Sequence, residues 1–337
     1  PHPDDDEVKA YIHSWFKDLG LETKEDDFGN IFVRLEGVGE PVLLNTHFDI
    51  PEPTPEAKYA EEGDIIRATG QNILGADPKS GLAVLLDFAK SLVEGDTSHR
   101  TIEFVFTRGE EVGLVGALNL DYSMVEAKEG FVLDQDGPVS EVVVKAPGYI
   151  RVDGEFVGKV VHPCEPENGV NAVAIASEAL HKLGFGYLSD GITWNVGKLT
   201  GGTARNSVPG SITFDAELRG FDTEELKAKS EEIKALFTAV AEAYGGAYRG
   251  EHTLFFSGYS LDTETPLFEK LKSAMQKHDL EPNFLTTFGG SDANVFNANG
   301  IACAAIGSAY YDPHQYSEWI NLAEMVQIHD VLLSLVE

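Results

Sequence analysis

The sequence predicts an α/β protein with a doubly wound, mostly parallel sheet, interrupted by an inserted α+β sandwich. Over the first 140 residues, short apolar runs bounded by Gly and Pro alternate with segments of helical periodicity, as in βαβ units. After residue 141 the pattern changes to alternating strands and amphipathic helices. The earlier pattern of helical segments and buried strands returns near the C-terminus. A chain of 337 residues is also longer than one core usually organises.

The N-terminal segments follow this alternation in order. Residues 7–20 carry apolar side chains at helical spacing and predict a helix that ends at Gly20. An apolar stripe from Pro78 to Leu92 predicts a helix packed on a sheet, and a further helical segment begins at about Gly113. Buried strands are predicted at 30–37, 41–49, 101–107 and 130–134.

The second half divides into an insertion and a return to the first domain. Strands at 141–158 and 211–219 with helices at 171–184 and 223–245 fit a small α+β sandwich. One domain at 1–141 and 258–337 is thus interrupted by a second at 142–257. The returning segments are a helix at 263–280, a buried strand at 300–310 and a closing helix at 323–337.

The charge balance narrows the class of partner. The chain has 56 acidic and 25 basic residues, a formal net charge of −31, which argues against nucleic acid or an anionic membrane as partner. No apolar run approaches the roughly 18–20 residues of a membrane span, and no signal-peptide pattern is present. Two cysteines, Cys164 and Cys303, are too few for a disulfide framework or a thiolate zinc site. We therefore expect a cytoplasmic protein.

Histidine and acidic residues fall where predicted strands end. In an open α/β sheet, loops at the carboxyl ends of strands converge on a crevice, so we expect these side chains to lie close together. Carboxylates and imidazoles without sulfur suit Zn²⁺, Co²⁺ or Mn²⁺, and so large a set suggests two ions. Each motif alone is more often a polar strand end than a site, and only their combination favours a metal centre. The residues are His47, Asp49, Asp77, Glu110, Glu111, Asp134 and His314.

Five motifs in this order resemble the co-catalytic metallopeptidase family that includes carboxypeptidase G, aminoacylase and peptidase T. They are NTHFD, LGADPKSG, RGEEVGLVGA, VLDQDG and HQYSE. Residues 288–301, FGGSDANVFNANGI, are most similar to its tripeptide aminopeptidase branch. The segments GKVVHPCEPENGVNAV and GGTARNSVPGSITFDAELRGFD resemble the family's lid and dimerisation domain, which implies a homodimer through the inserted domain.

The resemblance implies a binuclear site and a ligand assignment. His47 and Asp134 would bind one ion, Glu111 and His314 the other, and Asp77 would bridge both. The ions are expected to be Zn²⁺, with Co²⁺ or Mn²⁺ as alternatives.

Three further residues have catalytic roles in the family pattern. Glu110 would be the general base and acid, which requires a carboxylate beside the ligands. Asp49 would orient His47, as carboxylates commonly do for metal-bound imidazoles. His162, in KVVHP, matches the family's oxyanion donor, and the alternative is a surface loop histidine.

Substrate-binding positions also match. Arg219 and Asn206 occupy family positions that hold a substrate's carboxylate or carbonyl end, and a guanidinium suits a carboxylate. The alternative for Arg219 is a charged residue leaving an exposed strand. Gly290 would let the backbone approach the ligand. Ser291 and Asp292, which follow it, could simply cap a helix.

Departures from the family pattern leave every ligand in place. Pro78 stands where many relatives have a second acidic residue, and Gln135 stands where glycine is frequent. Asp136 is a competing ligand, and Asp134 is preferred because it directly follows the apolar strand. The resemblance implies a cis peptide after Asp77, which before proline costs only about 0.5–1 kcal/mol. We therefore predict a cis Asp77–Pro78 bond.

The leading hypothesis is a binuclear metal-dependent exopeptidase for short peptides, a tripeptidase-like aminopeptidase that uses metal-activated water with Glu110 as base. One alternative is an N-acyl-amino-acid amidohydrolase or carboxypeptidase on the same fold. The other is a non-catalytic metal- or peptide-binding homologue, which would have no chemical need for Glu110.

Overall fold

The computed structural model describes residues 3–52, 54, 57–95 and 98–337, with the side chains described from residue 6. Two compact units, each with its own hydrophobic core, make up the chain. The first unit comprises Pro1–Lys145, Ser260–Thr287 and Ser291–Glu337, and the second comprises Ala146–Tyr259 and Phe288–Gly290.

The helices are α1 (Pro3–Asp18), α2 (Ala76–Glu94), α3 (Val115–Leu118), α4 (Ala172–Leu183), α5 (Thr223–Ala243), α6 (Pro266–Gln276), α7 (Asp292–Ala298) and α8 (Leu322–Val336). The strands before the second unit are β1 (Thr23–Glu25), β2 (Ile31–Leu35), β3 (Val42–His47), β4 (Tyr59–Glu62), β5 (Ile65–Ala68), β6 (Ile102–Thr107), β7 (Glu129–Gln135) and β8 (Glu141–Ala146). The remaining strands are β9 (Gly148–Val157), β10 (Gly186–Ser189), β11 (Ile192–Gly201), β12 (Ser211–Gly220), β13 (Ala247–Phe256), β14 (Tyr259–Ser260), β15 (Asn283–Thr286), β16 (Ala302–Gly307), β17 (Tyr310–Tyr311) and β18 (Trp319–Asn321).

The first unit is built on a large mixed sheet. Among the described residues its order is β1-β2-β6-β3-β7-β16-β8-β14, with β15 beside β8. The central strands β6, β3, β7 and β16 pair in parallel, whereas β2 and β8 pair antiparallel with β6 and β16. Every residue of β3 and β6 is buried, whether it is apolar or polar. This is typical of a parallel sheet with both faces covered. The predicted α/β class with a mostly parallel sheet is confirmed.

Helices α1 and α2 bury their apolar stripes in the core of this unit. Phe16 of α1 lies 5.7 Å, ring centroid to ring centroid, from both Phe104 and Phe106 of β6. Burial of each such ring stabilises the fold by about 1.5–3 kcal/mol. In α2, a Cβ atom on Gly81 would lie 2.8 Å from the carbonyl oxygen of Leu133. Glycine at 81 therefore lets the start of α2 approach β7 closely.

Several predicted helix boundaries can be compared directly with the structure. Helix α1 ends at Asp18, and Gly20 has a left-handed φ of 75°, so the predicted stop is confirmed. The helical segment predicted from Gly113 is only the four-residue α3. The Asp77–Pro78 peptide is cis, as predicted, and both residues have non-helical φ and ψ within α2.

A small sheet of the first unit was not predicted. Strands β17, β18, β5 and β4 form it in that order, all pairs antiparallel. Each has two to four residues, and β4 is the acidic segment YAEE, so the sequence offers neither an apolar run nor a clear alternation.

The second unit is an antiparallel sheet with two helices. The strand order is β10-β11-β12-β9-β13. Asn171 and Asp222 immediately precede α4 and α5, and their side chains accept from backbone N–H groups of the first turn. Trp194 and Phe214 are almost fully buried in its core. Strands β10, β11 and β13 were not predicted. The strand region predicted at 141–158 contains β8, which pairs within the large sheet, and β9, which pairs within the second unit. Among the described helices, none is both long enough and apolar enough to cross a membrane.

Candidate metal centre

Parallel strand ends bring the predicted ligands together in the first unit. His47 is the last residue of β3, Asp134 is the penultimate residue of β7, and Glu110 and Glu111 follow β6. Because these strands are parallel neighbours, their carboxyl ends lie at one edge of the sheet. Asp77 is added by the start of α2.

One group of ligand atoms surrounds the imidazole of His47. Its Nε2 atom lies 3.3 Å from Oδ1 of Asp134 and 3.4 Å from Oδ1 of Asp77. The three residues can offer one ligand atom each within 4.8 Å of one another, the geometry of a candidate metal site. His47 is 1% exposed, so this group is closed to bulk water on the histidine side.

A second group shares Asp77. Nε2 of His314 lies 3.3 Å from Oδ2 of Asp77 and 3.0 Å from Oε1 of Glu111, and these three residues also satisfy the distance criterion for a metal site. Asp77 therefore faces the first group with Oδ1 and the second with Oδ2. A carboxylate placed in this way can bridge two ions.

Glu110 takes part in a third possible grouping. His47, Glu110 and Glu111 also bring ligand atoms within 4.8 Å of one another. Oε2 of Glu110 lies 3.8 Å from Nε2 of His47, farther than the carboxylates of Asp77 and Asp134. Glu110 can thus act either as a ligand or as a carboxylate beside the ligands.

Unpartnered buried atoms show that the residues suit a cation. Within the described part of the chain, both ring nitrogens of His47 and Oδ1 of Asp77 are buried without a hydrogen-bond partner. Their neighbours lie at ion-pair distance, but not in hydrogen-bonding geometry. Because an unsatisfied buried polar atom is costly, a divalent ion that accepts lone pairs from Nε2 of His47 and Oδ1 of Asp77 fits the site.

The carboxylates repel one another strongly without such an ion. Burial raises the pKa of Asp134 to about 7, with further increases from the charges of Asp77 and Asp292, while His47 opposes the shift. Burial and the charge of Asp134 also raise the pKa of Glu110 well above its ordinary value. These shifts indicate a surplus of negative charge that cations would neutralise.

The histidines and Asp77 respond in the opposite sense. Hydrogen bonds to Asp77 and Glu111 raise the pKa of His314 to about 10. Burial would lower the pKa of His47, but the charge of Asp134 and contacts with three carboxylates raise it well above its ordinary value. Burial would raise the pKa of Asp77, but the two histidines lower it. In the metal-free protein the protonated histidines therefore supply positive charge to the site, which bound ions would supply instead.

Asp49 lies directly behind His47. Its Oδ1 atom is 3.3 Å from Nδ1 of His47, whereas the ligand group contacts the other ring nitrogen, Nε2. The same carboxylate accepts the backbone N–H groups of Glu110 and Glu111, each at 3.1 Å. Asp49 thus contacts both the imidazole and the loop that carries the two glutamates.

Two buried acids near the site have roles that sequence reasoning missed. Ser291 caps α7 in a capping box with Asn294, whereas the side chain of Asp292 is buried and hydrogen-bonds to Thr107. Glu318, in the quoted motif HQYSE, is also buried and accepts backbone N–H groups around Asp77. Both side chains are buried against residues that are far away in sequence, so no local sequence pattern identified them.

The remaining predicted residues belong to the second unit. His162 and Asn206 are exposed on loops. Arg219, on β12, contacts Oε2 of Glu217 at 3.2 Å and donates to the carbonyl of Phe288 at 3.1 Å. A Cβ atom on Gly290 would lie 2.6 Å from the ring of Phe256, so that position requires glycine for packing.

Two protein-family profiles match separate parts of the chain, one before and one after residue 141. Residues 30–140 match the profile described as peptidase family M28. Residues 144–245 match the profile described as a peptidase dimerisation domain.

Full-length relatives are similar across almost the entire chain. The uncharacterized protein YqjE of Bacillus subtilis is 34% identical, with 98% of this chain and 92% of that protein aligned. The crystal structure of aminopeptidase PepT from Bacillus cereus superposes with a TM-score of 0.91 at 32% identity, covering 98% of this chain and 92% of that one. A tripeptidase from Staphylococcus aureus superposes with a TM-score of 0.93 at 28% identity, covering 98% and 91%.

Proposed function

Because the chain belongs to the co-catalytic metallopeptidase family, in its peptidase T-like branch, we propose that it is a binuclear metal-dependent aminopeptidase that releases N-terminal residues from tripeptides. Membership makes it a hydrolase of peptide or amide bonds. The binuclear centre, the ligand roles and the substrate length are the proposal.

The arrangement of Asp77 is the observation that carries it. This residue places one carboxylate oxygen in each of two three-residue groups, His47 with Asp134 and Glu111 with His314. Two ions held in this way use four of the five ligands once and Asp77 twice. The ligand set contains only nitrogen and oxygen, which supports Zn²⁺, with Co²⁺ or Mn²⁺ as substitutes.

Bound divalent ions would supply an activated water and electrophilic stabilisation of the oxyanion. The protein's own contribution is the movement of protons. Glu110 takes the proton of the attacking water and delivers it to the amine that leaves, and its Oε2 atom lies beside the ligand group, 3.8 Å from Nε2 of His47. Asp49 keeps His47 oriented and holds the backbone of Glu110 in place.

For the second unit we propose roles in substrate binding and assembly. Arg219 and Asn206 bind the carboxylate or carbonyl end of the peptide, Gly290 lets the backbone approach it, and His162 donates to the oxyanion. The match of residues 144–245 to a peptidase dimerisation domain supports a homodimer through this unit. Light scattering tests the dimer, and a monomer at assay concentration would contradict it.

A substrate panel tests the function. The purified protein, loaded with Zn²⁺, Co²⁺ or Mn²⁺, is given di-, tri- and tetrapeptides, N-terminally blocked tripeptides and N-acyl amino acids. We expect release of the N-terminal residue from free tripeptides and loss of activity when the amine is blocked. Preferred cleavage of acylated amino acids would favour the amidohydrolase alternative, and peptide binding without turnover would favour a non-catalytic homologue.

A further inference from the structure

Glu318 forms a carboxylate clamp on the segment that carries Asp77. Its Oε2 atom accepts the backbone N–H groups of Leu74 at 2.6 Å and Gly75 at 2.7 Å. Its Oε1 atom accepts those of Ala76 at 2.9 Å and Asp77 at 3.0 Å. Four consecutive N–H groups thus converge on one side chain that is 1% exposed.

This clamp replaces the ordinary cap of helix α2. The residue before α2, Gly75, has a left-handed φ of 70° and no side-chain cap hydrogen bond. The N–H groups at a helix start lack intrahelical partners and favour a negative charge. Glu318 satisfies them from more than 240 residues away in sequence, where a local Ser, Thr or Asn would normally do so.

The clamp and a predicted ligand belong to one short segment. His314 lies four residues before Glu318, and its imidazole contacts Asp77 Oδ2 and Glu111. The main chain of Glu318 is itself fixed, because its carbonyl accepts the N–H of Ala68 at the end of β5. Residues 314–318 therefore contact Asp77 twice, once through its side chain and once through its backbone.

We propose that Glu318 is a positioning residue for the binuclear centre. By fixing the backbone at Asp77, it keeps Oδ1 directed at His47 and Oδ2 directed at His314, so that one carboxylate can serve both ions. The inference rests on the proposed two-ion function. It adds that metal affinity depends on a side chain that donates no ligand atom.

A second buried carboxylate offers a matched control. Glu103, on β6, is 5% exposed and accepts the backbone N–H groups of Glu126 and Ala127, at 3.0 and 2.9 Å from its Oε2 atom. It also pairs with Arg34. A substitution at Glu103 therefore disrupts the same kind of clamp in the same unit, without touching the segment of Asp77.

The experiment compares wild type, Glu318→Gln and Glu103→Gln by calorimetric titration of the metal-free protein with Zn²⁺ and by thermal melting. Both variants replace one acceptor oxygen with an amide that donates, so both should melt at a lower temperature. We expect Glu318→Gln to weaken binding of both ions by about 10–100-fold, the usual effect of losing a group that supports a ligand. Glu103→Gln should keep wild-type affinities.

Equal Zn²⁺ affinities in Glu318→Gln and wild type would overturn the proposal, as would an equal loss in Glu103→Gln. If Glu318→Gln does not fold, Glu318→Asp provides the same comparison, because aspartate keeps the charge but has a shorter side chain. The Glu318→Asp protein should still bind Zn²⁺ more weakly than wild type. Failure of the proposed function has a separate signature, which is a folded wild-type protein that binds fewer than two ions.

Discussion

The carboxylate of Asp49 lies 3.3 Å from Nδ1 of His47, on the side of the ring away from the other acidic groups. The same carboxylate accepts the N–H groups of Glu110 and Glu111. One side chain thus joins the end of β3 to the loop after β6. A change at Asp49 should therefore affect ligand orientation and the general base together.

Asp49→Asn should lower kcat/KM by about 10–100-fold at saturating Zn²⁺, because an amide cannot accept from two N–H groups and also support His47 with a charge. Activity on a tripeptide and Zn²⁺ affinity measure the effect. Asp279→Asn is the control, since Asp279 is exposed and has a left-handed φ of 58° that asparagine tolerates. Wild-type activity in Asp49→Asn would contradict the role.

Glu110→Gln and Glu111→Gln should fail in different ways. Glu110→Gln should lose about 10²–10⁴-fold in kcat while it retains two ions, because only the proton transfer is removed. Glu111→Gln should lose occupancy of one ion. Metal analysis of dialysed protein, paired with kcat, separates the two effects.

The alternative grouping of His47 with both glutamates makes a contrary prediction. If Glu110→Gln lost an ion as readily as Glu111→Gln, Glu110 would be a ligand and the assignment of the base would be wrong.

The stability of the metal-free protein should depend on pH through Asp134. An unfolded aspartate ionises near pH 3.9, whereas burial raises the pKa of Asp134 in the folded protein to about 7. The folded state therefore binds the proton of Asp134 more tightly than the unfolded state does. The stabilisation that this proton provides is fully present below about pH 4 and is lost as the pH rises to about 7.

Asp134→Asn removes this titration. The melting temperature of the metal-free wild type should fall relative to that of the variant between pH 4 and 7, and Zn²⁺ should restore the wild type at pH 7. A difference between the two proteins that stays constant across this range would contradict the predicted pKa shift.

Arg219→Lys should weaken recognition of the peptide carboxylate. A lysine cannot make the bidentate contact, so KM for free tripeptides should rise by about 10–100-fold, while tripeptide amides should be affected little. Arg151→Lys is the matched control, since Arg151 is an exposed arginine of the same sheet that pairs with Asp153. Equal losses on acids and amides would argue for a structural role in the pairs with Glu217 and Phe288.

The predictable parts of the fold are those in which burial leaves a pattern in the sequence. Strand β3, which is buried throughout, could be identified as a short apolar run, and helix α2 could be identified by its apolar stripe at helical spacing. Strand β11 begins with alternating burial but ends in exposed residues, so it has no such pattern. The small hairpin of β4 and β5 is short and mostly exposed or half-buried, and it was missed for the same reason.

The residues of the site also divide into those that could be predicted and those that could not. The acids and histidines at strand ends could be grouped because the carboxyl ends of parallel strands lie at one edge of the sheet. Glu318 could not be assigned, because its partners are backbone N–H groups far away in sequence. Both Ser291 and Asp292 were predicted as possible helix caps; Ser291 caps α7, whereas the side chain of Asp292 is buried and hydrogen-bonds to Thr107. Local sequence does not specify which of two adjacent polar side chains faces inward.

A structure of the Zn²⁺-loaded protein with anomalous scattering data tests the central claim most directly. We predict two ions, one bound by His47 and Asp134 and the other by Glu111 and His314, with Asp77 contacting both. A single ion held by His47, Glu110 and Glu111 would contradict this assignment.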